Sequence, residues 1–407
     1  MLRIRPFSGL RPAPALAPLV ACVPYDVVDR AESAALAAGN PLSLLHVDRA
    51  EIDLPPATDP YSEAVYAKAL ENFTRLQTDC ALIRETARVV YLYQQIMGSH
   101  SQTGIAAVCH IDDYENNLIK KHEKTRKDKE DDRTRLIGTL SADTGPVFLT
   151  YRDEAEINRL VIEAKRATPL YDFTAPDGIR HTVWRVDHAE ALVAAFGRVA
   201  CSYVADGHHR TASAVRVGKE RRAANPSHNG SEEYNWFLAV LFPASQLAIL
   251  PYNRCVLDLN GHTEESLLAA LKAGGFQVSD AAEATPPGAG EVRMYLNQKW
   301  RRVAWTPDPT ADPIARLDVT VLQDRVLAPL LGIDDPRTSK RIEFIGGIRG
   351  TGELENRVND GRAAIAFSMY PTTVDQLMDI ADAGAIMPPK STWFEPKLRS
   401  GLFIHTF

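Results

Sequence analysis

The chain has 407 residues, 45% hydrophobic and 24% charged, with a formal net charge of −6. This is an ordinary globular composition at roughly two domains' length, with no broad electrostatic reason to bind nucleic acid or an anionic membrane. No apolar run reaches the roughly 20 residues of a membrane span. The five cysteines (Cys22, Cys80, Cys109, Cys201, Cys255) are scattered without a C-x-x-C, so neither a disulfide framework nor a zinc ribbon is indicated. The N-terminus MLRIRPFSGLRP lacks the apolar core of a secretory signal, and a cytoplasmic protein is expected.

Residues 1–60 are rich in proline and turn signals, and Pro24 inside LVACVPYDVV points to a strand edge or loop. The spacing of Val65, Ala69, Phe73 and Leu76 predicts a helix over 62–80. RVVYLYQQIM (88–97) and TGIAAVCHIDDY (103–114) read as an antiparallel hairpin turned at Gly98-Ser99-His100. Residues 118–140 start as a strand end and become a charged helix. Thr125 with Asp128 resembles a capping box and sets its start near Arg126. A strand follows at 145–153, a helix at 154–167, a strand at 181–187 and a short helix at 188–196. An apolar strand then leads into a helix over 208–223, and YNWFLAVLFP (234–243) reads as a central strand. Beyond it come a helix at 262–274, the linker-like AAEATPPGAG (281–290) and a hairpin over 293–305 with Asn297-Gln298 near its turn. A helix at 318–332, strands at 342–347 and 363–371, and helices near 351–358 and 373–383 complete the chain. Hairpins are frequent among the alternating elements. The expected fold is therefore α+β with mixed and antiparallel sheets, divided at the Pro/Gly patch into 1–280 and 291–407.

One chemistry-bearing stretch is VACSYVADGHHRTASAVRVGKE, Val199 to Glu220. Asp206-Gly207 is good turn chemistry, since glycine takes a positive φ without steric cost. A helix starting near His208 directs free N–H groups and about half a positive charge out of the turn, which favours an anion, above all phosphate. Arg210 can hold phosphate oxygens in a fork, and Asp206 can hold Mg2+ or take a proton. Adjacent helical residues lie about 100° apart, so His208 and His209 cannot face one ligand equally. The competing reading is a capped helix with surface histidines. Zinc is disfavoured, because adjacent histidines and one aspartate are not a ligand set with the usual helical spacing.

The other stretch is Lys120-Lys121-His122-Glu123-Lys124-Thr125. Between Lys120 and Arg135 eight basic residues face five acids, and His122, Arg126, Lys129 and Arg133 share one helical face by spacing. A carboxylate in such a field stays ionised and can act as a base. A solvated helix laced with salt bridges is the alternative.

Taken together, a His-Glu pair opening a helix and a downstream strand–Asp-Gly-His-His-Arg–helix resemble the ParB/sulfiredoxin-like superfamily, and within it the free-serine kinases. The resemblance implies a core at about 100–225, a nucleotide donor (ATP or ADP) with Mg2+, and a small-molecule acceptor. It implies nucleotide phosphates at Gly207, His208, His209, Arg210 and Thr211, with Asp206 as the Mg2+ carboxylate. Glu123 would be the base that deprotonates a hydroxyl, and Glu123, Asp206 and His209 the catalytic set. The insert 154–196 implies a different substrate wall, so phosphoryl transfer is better supported than serine itself. RPFSGLRP, VPYDVV, GNPLSLLHV, IDDYEN, TGPVFLTYRD, GKERRAANP and MPPKSTWFEPKLRSGLFIH make the whole chain resemble the bacterial family called domain of unknown function 1015, a name that implies no activity.

Further substrate or phosphate contacts are expected at His122, Arg126, Asp26, Arg349, Lys390 and Trp393. The competing reading of Asp26 is a turn carboxylate accepting backbone N–H groups. Gly346-Gly347-Ile348-Arg349 reads as a second anion nest or a tight turn. Neither G-x-G-x-x-G nor a Walker A spacing occurs. Lys390 and Trp393 lie in a proline-rich tail that can equally cap a sheet. Two alternatives remain: a ParB-like nucleotide-binding regulator that transfers nothing, and a phosphatase of small phosphorylated metabolites. Nucleic acid and membranes are not expected as partners, and a homo-oligomer is left open.

Overall fold

Trp236–Pro243 buries Phe237 through Phe242 almost completely. A near-continuous apolar run of this kind is what a strand covered on both faces requires. In the computed structural model, which describes residues 1–407, this strand lies in the middle of a nine-stranded mixed sheet. The strands are β1 (Ile4–Arg5), β2 (Val90–Met97), β3 (His100–His110), β4 (Ile119–Lys120), β5 (Val147–Tyr151), β6 (Tyr171–Thr174), β7 (Arg180–Val186), β8 (Ser202–Asp206) and β9 (Trp236–Pro243). Their order is β4-β8-β5-β9-β3-β2-β7-β6, with β1 added alongside β3. β9 runs antiparallel to β3 and parallel to β5. The hairpin β2–β3 closes through the two residues Gly98-Ser99, since Met97 already pairs His100. Residues 111–115, expected to continue the strand, form a short helix whose first free N–H, that of Asp112, is accepted by His110.

Three helices matter for the site. In α1 (Glu63–Thr78), Val65, Ala69, Phe73 and Leu76 form the buried face and join a cluster with Leu45, Val47, Leu136 and Leu140. α2 (Lys127–Leu140) starts after Arg126 as expected, but not by the expected capping box. Its N-cap has no side-chain hydrogen bond, and Thr125 donates instead to Glu130, at 2.7 Å. α3 (His208–Ala224) opens at Gly207. No helix is long and apolar enough to cross a membrane.

The chain divides into two units, Met1–Leu247 with Pro396–Phe407, and Ala248–Glu395. The division expected at 281–290 is therefore corrected. That Pro/Gly patch lies inside the second unit, joining two strands of one sheet. The sheet contains β10 (Tyr252–Val256), β11 (Gln277–Asp280), β12 (Glu291–Leu296), β13 (Lys299–Ala304), β14 (Ile342–Gly346) and β15 (Ile365–Ser368), in the order β11-β13-β12-β15-β10-β14. The β12–β13 turn is Asn297-Gln298, with φ of 48° and 60°, the left-handed pair that suits the twist of a two-residue hairpin. Both units fit the expected α+β class with mixed and antiparallel sheets.

Candidate functional site

The two motifs meet because of how two strands pair. β4 and β8 run parallel, Ser202 opposite Ile119 and Tyr203 opposite Lys120. Parallel neighbours leave a sheet at the same end, so residues 121–126 and 206–210 exit side by side. The neighbouring β5 is antiparallel to β8 and begins at that end. The register between β8 and β5 shifts between Val204 and Asp206, a bulge of the kind that re-aims a side chain.

Gly207 has φ 91° and ψ 33° and serves as the N-cap of α3. A side chain there would be strained, and its Cβ would lie 3.1 Å from the Arg210 guanidinium. The Arg210 side chain is drawn inward. Nη1 donates to the Pro146 carbonyl at 2.5 Å, Nη2 lies 3.8 Å from Asp206, and Nε has no partner. Asp206 also meets Lys397 Nζ at 3.4 Å. Burial raises the Asp206 pKa, but Lys397, Arg210 and His208 outweigh it and hold the carboxyl down at about 2. Asp206 is thus a fixed anion and a poor proton acceptor. With two cations already against it, it fits Mg2+ only when donor phosphates bring further negative charge.

The adjacent histidines part company. His208 is buried and packs edge-on against His122, ring centroids 4.5 Å apart at 87°. His209 stays at the rim, where its Nε2 accepts the Arg126 backbone N–H at 3.0 Å. The neutral ring then carries its proton on Nδ1. Burial lowers the His209 pKa, opposed by the Asp26 charge. His122 is 1% exposed. Burial pushes it down to about 4, against the pull of the Val204 backbone and Asp206. The Val204 backbone acts on the ring, yet neither ring nitrogen has a hydrogen-bond partner. His122, Glu123 and His208 offer ligand atoms that all lie within 4.8 Å of one another.

Behind the turn lies a polar floor. A cavity of about 30 Å³ is lined by Tyr25, Asp48, Arg133, Thr144, Arg210 and Ser400 among others, room for one or two waters. Arg133 lies over the Tyr25 ring at 4.0 Å and donates to Asp132 at 2.8 Å. Thr144 donates to Asp48 at 2.6 Å. Asp26 is exposed, and its charge acts on both His209 and Arg210.

Several expectations change. Thr211, expected at a phosphate, is fully buried and donates its hydroxyl to the Gly207 carbonyl at 3.0 Å, bracing the turn from inside. His122 is packed against His208, not presented as an exposed substrate contact. The basic stripe does not form. His122 precedes α2, Arg133 is buried, and Lys129 lies over the Tyr61 ring. Arg126 is 71% exposed and paired with Asp128. Arg349, Lys390 and Trp393 belong to the second unit. There Arg349 is exposed, Lys390 Nζ lies 5.5 Å from the Tyr252 ring, and the Trp393 ring packs on Gly346. Lys397, Ser400 and Asp48 are site residues that sequence reasoning missed, and Arg133, expected on a basic helical stripe, instead lines the cavity. The first two sit in KLRSG, close behind the lysine and tryptophan that drew attention.

The family described as protein of unknown function (DUF1015) matches residues 4–320. No curated protein matches the chain. Similar solved structures include a free serine kinase in complex with AMP, at 12% identity and TM-score 0.35, covering 74% of this chain and 92% of that one. A mutant free serine kinase in complex with ADP gives 13%, 0.36, 74% and 92%. SbnI with C-terminal truncation from Staphylococcus aureus gives 13%, 0.38, 73% and 87%. At those identities and scores the likeness says nothing of activity.

Proposed function

The chain belongs to the DUF1015 family, and we propose that it is a nucleotide-dependent phosphotransferase acting on the hydroxyl of a small metabolite, free serine or a related hydroxy acid. The observation that supports this most is the turn itself. A 17-residue helix opens at a left-handed glycine, between an ionised Asp206 and a partly exposed Glu123 on the neighbouring strand exit. The likeness of both motifs to those of free-serine kinases supplies nucleotide and hydroxyl.

In this reading the unpaired N–H groups of the first turn of α3 hold donor phosphates. Lys397 and Arg210 set the charge beneath them. Where Mg2+ accompanies the donor, Asp206 is the carboxylate to hold it, and the ion neutralises charge on the phosphates. Glu123 takes the acceptor's proton as its oxygen bonds to the terminal phosphorus and the bond to the leaving nucleotide breaks. His209, neutral with Nδ1–H, is the rim donor to the transferring group.

Calorimetric titration with ATP, ADP and CTP plus Mg2+ tests the donor, followed by turnover with serine and other hydroxy acids. Arg210→Ala would open the cavity wall, so His209→Ala is the better binding variant. Glu123→Gln is expected to bind nucleotide as wild type while turning over about 10²–10⁴-fold more slowly. Absence of nucleotide binding overturns the proposal. Binding without transfer to any hydroxyl leaves a regulator, and phosphate release from phosphoserine without nucleotide leaves a phosphatase.

A further inference from the structure

The pair His122 and His208 is buried in an unusual way. His122 is 1% exposed and His208 6%, yet both ring nitrogens of His122 and Nε2 of His208 have no hydrogen-bond partner. Buried polar atoms are almost always satisfied, and an orphan calls for a water or an ion. Here three orphan nitrogens belong to two touching rings, and Glu123 brings a carboxylate into the same group, every ligand atom within 4.8 Å of the others.

We propose that His122, Glu123 and His208 form a binding site for a divalent transition metal of the zinc type. Two imidazoles and one carboxylate are the donor set of a borderline cation. Mg2+ and Ca2+ prefer oxygen alone. Tetrahedral donors at 2.0–2.1 Å from zinc stand roughly 3.3 Å apart, so the ion would draw the three atoms inward from their present 4.8 Å limit. Adjacent parallel strand exits supply the scaffold, which is why no local ligand spacing marks the site. His209, the neighbour whose adjacency spoils the pattern in sequence, is engaged elsewhere by Arg126. Three protein ligands leave a fourth position open, as in catalytic and not structural zinc sites. The site stands whether or not the protein binds nucleotide. If it does, ion and acceptor proton compete for Glu123, and zinc inhibits transfer.

The test uses full-length protein stripped with chelator and dialysed against Zn2+, and separately Mg2+, without nucleotide, with bound metal counted by emission spectroscopy. Wild type is expected to retain one Zn2+ per chain and no Mg2+. Glu123→Ala and His208→Ala should each weaken retention by more than the roughly 10–100-fold typical of an outer-shell partner. Co2+ in place of zinc should give the visible bands of a four-coordinate nitrogen and oxygen site in wild type alone. His208→Ala risks misfolding. Glu123 is partly exposed, so Glu123→Ala, checked by circular dichroism, decides the matter alone. No zinc uptake by wild type overturns the proposal, and so does unchanged uptake by Glu123→Ala.

Discussion

Arg126 gives its backbone N–H to His209 Nε2 at 3.0 Å. The contact ties the residue that starts α2 to the helix that opens at Gly207, and it is made at a helix end without a side-chain cap of its own. His209→Ala removes it. The expected cost is about 1 kcal/mol, read as a lower urea midpoint at unchanged m-value, with weaker nucleotide binding beside it. An unchanged midpoint would mean the two motifs are held together by strand pairing alone.

Lys397 is the counter-charge of Asp206. Lys397→Met is expected to raise the Asp206 pKa from about 2 towards its free value of 3.8, measured by following the carboxyl carbon in an NMR titration. The sign for stability follows. A carboxyl with a depressed folded pKa contributes stability that is present above about 3.8 and lost as pH falls through about 2. In the variant that contribution is smaller, and its loss with acid is complete at a higher pH. A pKa that stays put would assign the effect to Arg210.

His181 is fully buried. Its Nε2 accepts from Arg399 at 3.3 Å, and its Nδ1 meets Tyr93 Oη at 2.8 Å. Burial and the Arg399 charge hold it down at about 3, with Asp177 pulling the other way. The folded protein therefore binds fewer protons than the unfolded chain between about 3 and the free value of 6.5, and stability falls as pH drops through that window. From pH 6.5 to 5 this one ring accounts for about 2 kcal/mol. His181→Gln keeps polar partners for Arg399 and Tyr93 but does not titrate. Its urea midpoint should decline less steeply with acid than that of wild type.

Gly218 sits where α3 crosses the chain near Tyr234. An added Cβ would lie 2.3 Å from the Tyr234 carbonyl oxygen and 2.9 Å from Ile111 Cδ1. A backbone oxygen cannot rotate away, so Gly218→Ala should destabilise by about 1–3 kcal/mol, despite alanine's better helix propensity. Thermal unfolding measures it, and a stabilised variant would show that α3 can shift.

Local chemistry was legible in the sequence. Asp206-Gly207 marked the start of α3, Asn297-Gln298 marked a hairpin, and the apolar run after Tyr234 marked the central strand. What depends on non-local pairing was not legible. Nothing near His122 announces that β4 will lie parallel to β8 and bring it onto His208. The two residues of β4 are too few to carry a periodic signal. The Pro/Gly patch 281–290 has linker composition but spans two strands of one sheet. Of the actual boundaries, Leu247 and Glu395, only the second lies in a proline-rich stretch, and that stretch reads as a tail. Lys397 was missed because a lysine's partner is set by where a distant segment returns, and spacing does not encode that.

The return of Pro396–Phe407 to the first unit has a consequence for biosynthesis. A chain is made from its N-terminus and its domains fold as they emerge. Asp206, Gly207 and α3 are in place early, but Lys397 and Ser400 arrive only after the second unit has been translated. Until then Asp206 faces Arg210 without its lysine, His181 lacks Arg399, and the cavity lacks one wall. A nascent or prematurely terminated chain thus carries both motifs in full and still presents an unfinished site. Emergence of residues 396–407, more than the folding of the large sheet, is the step that completes it.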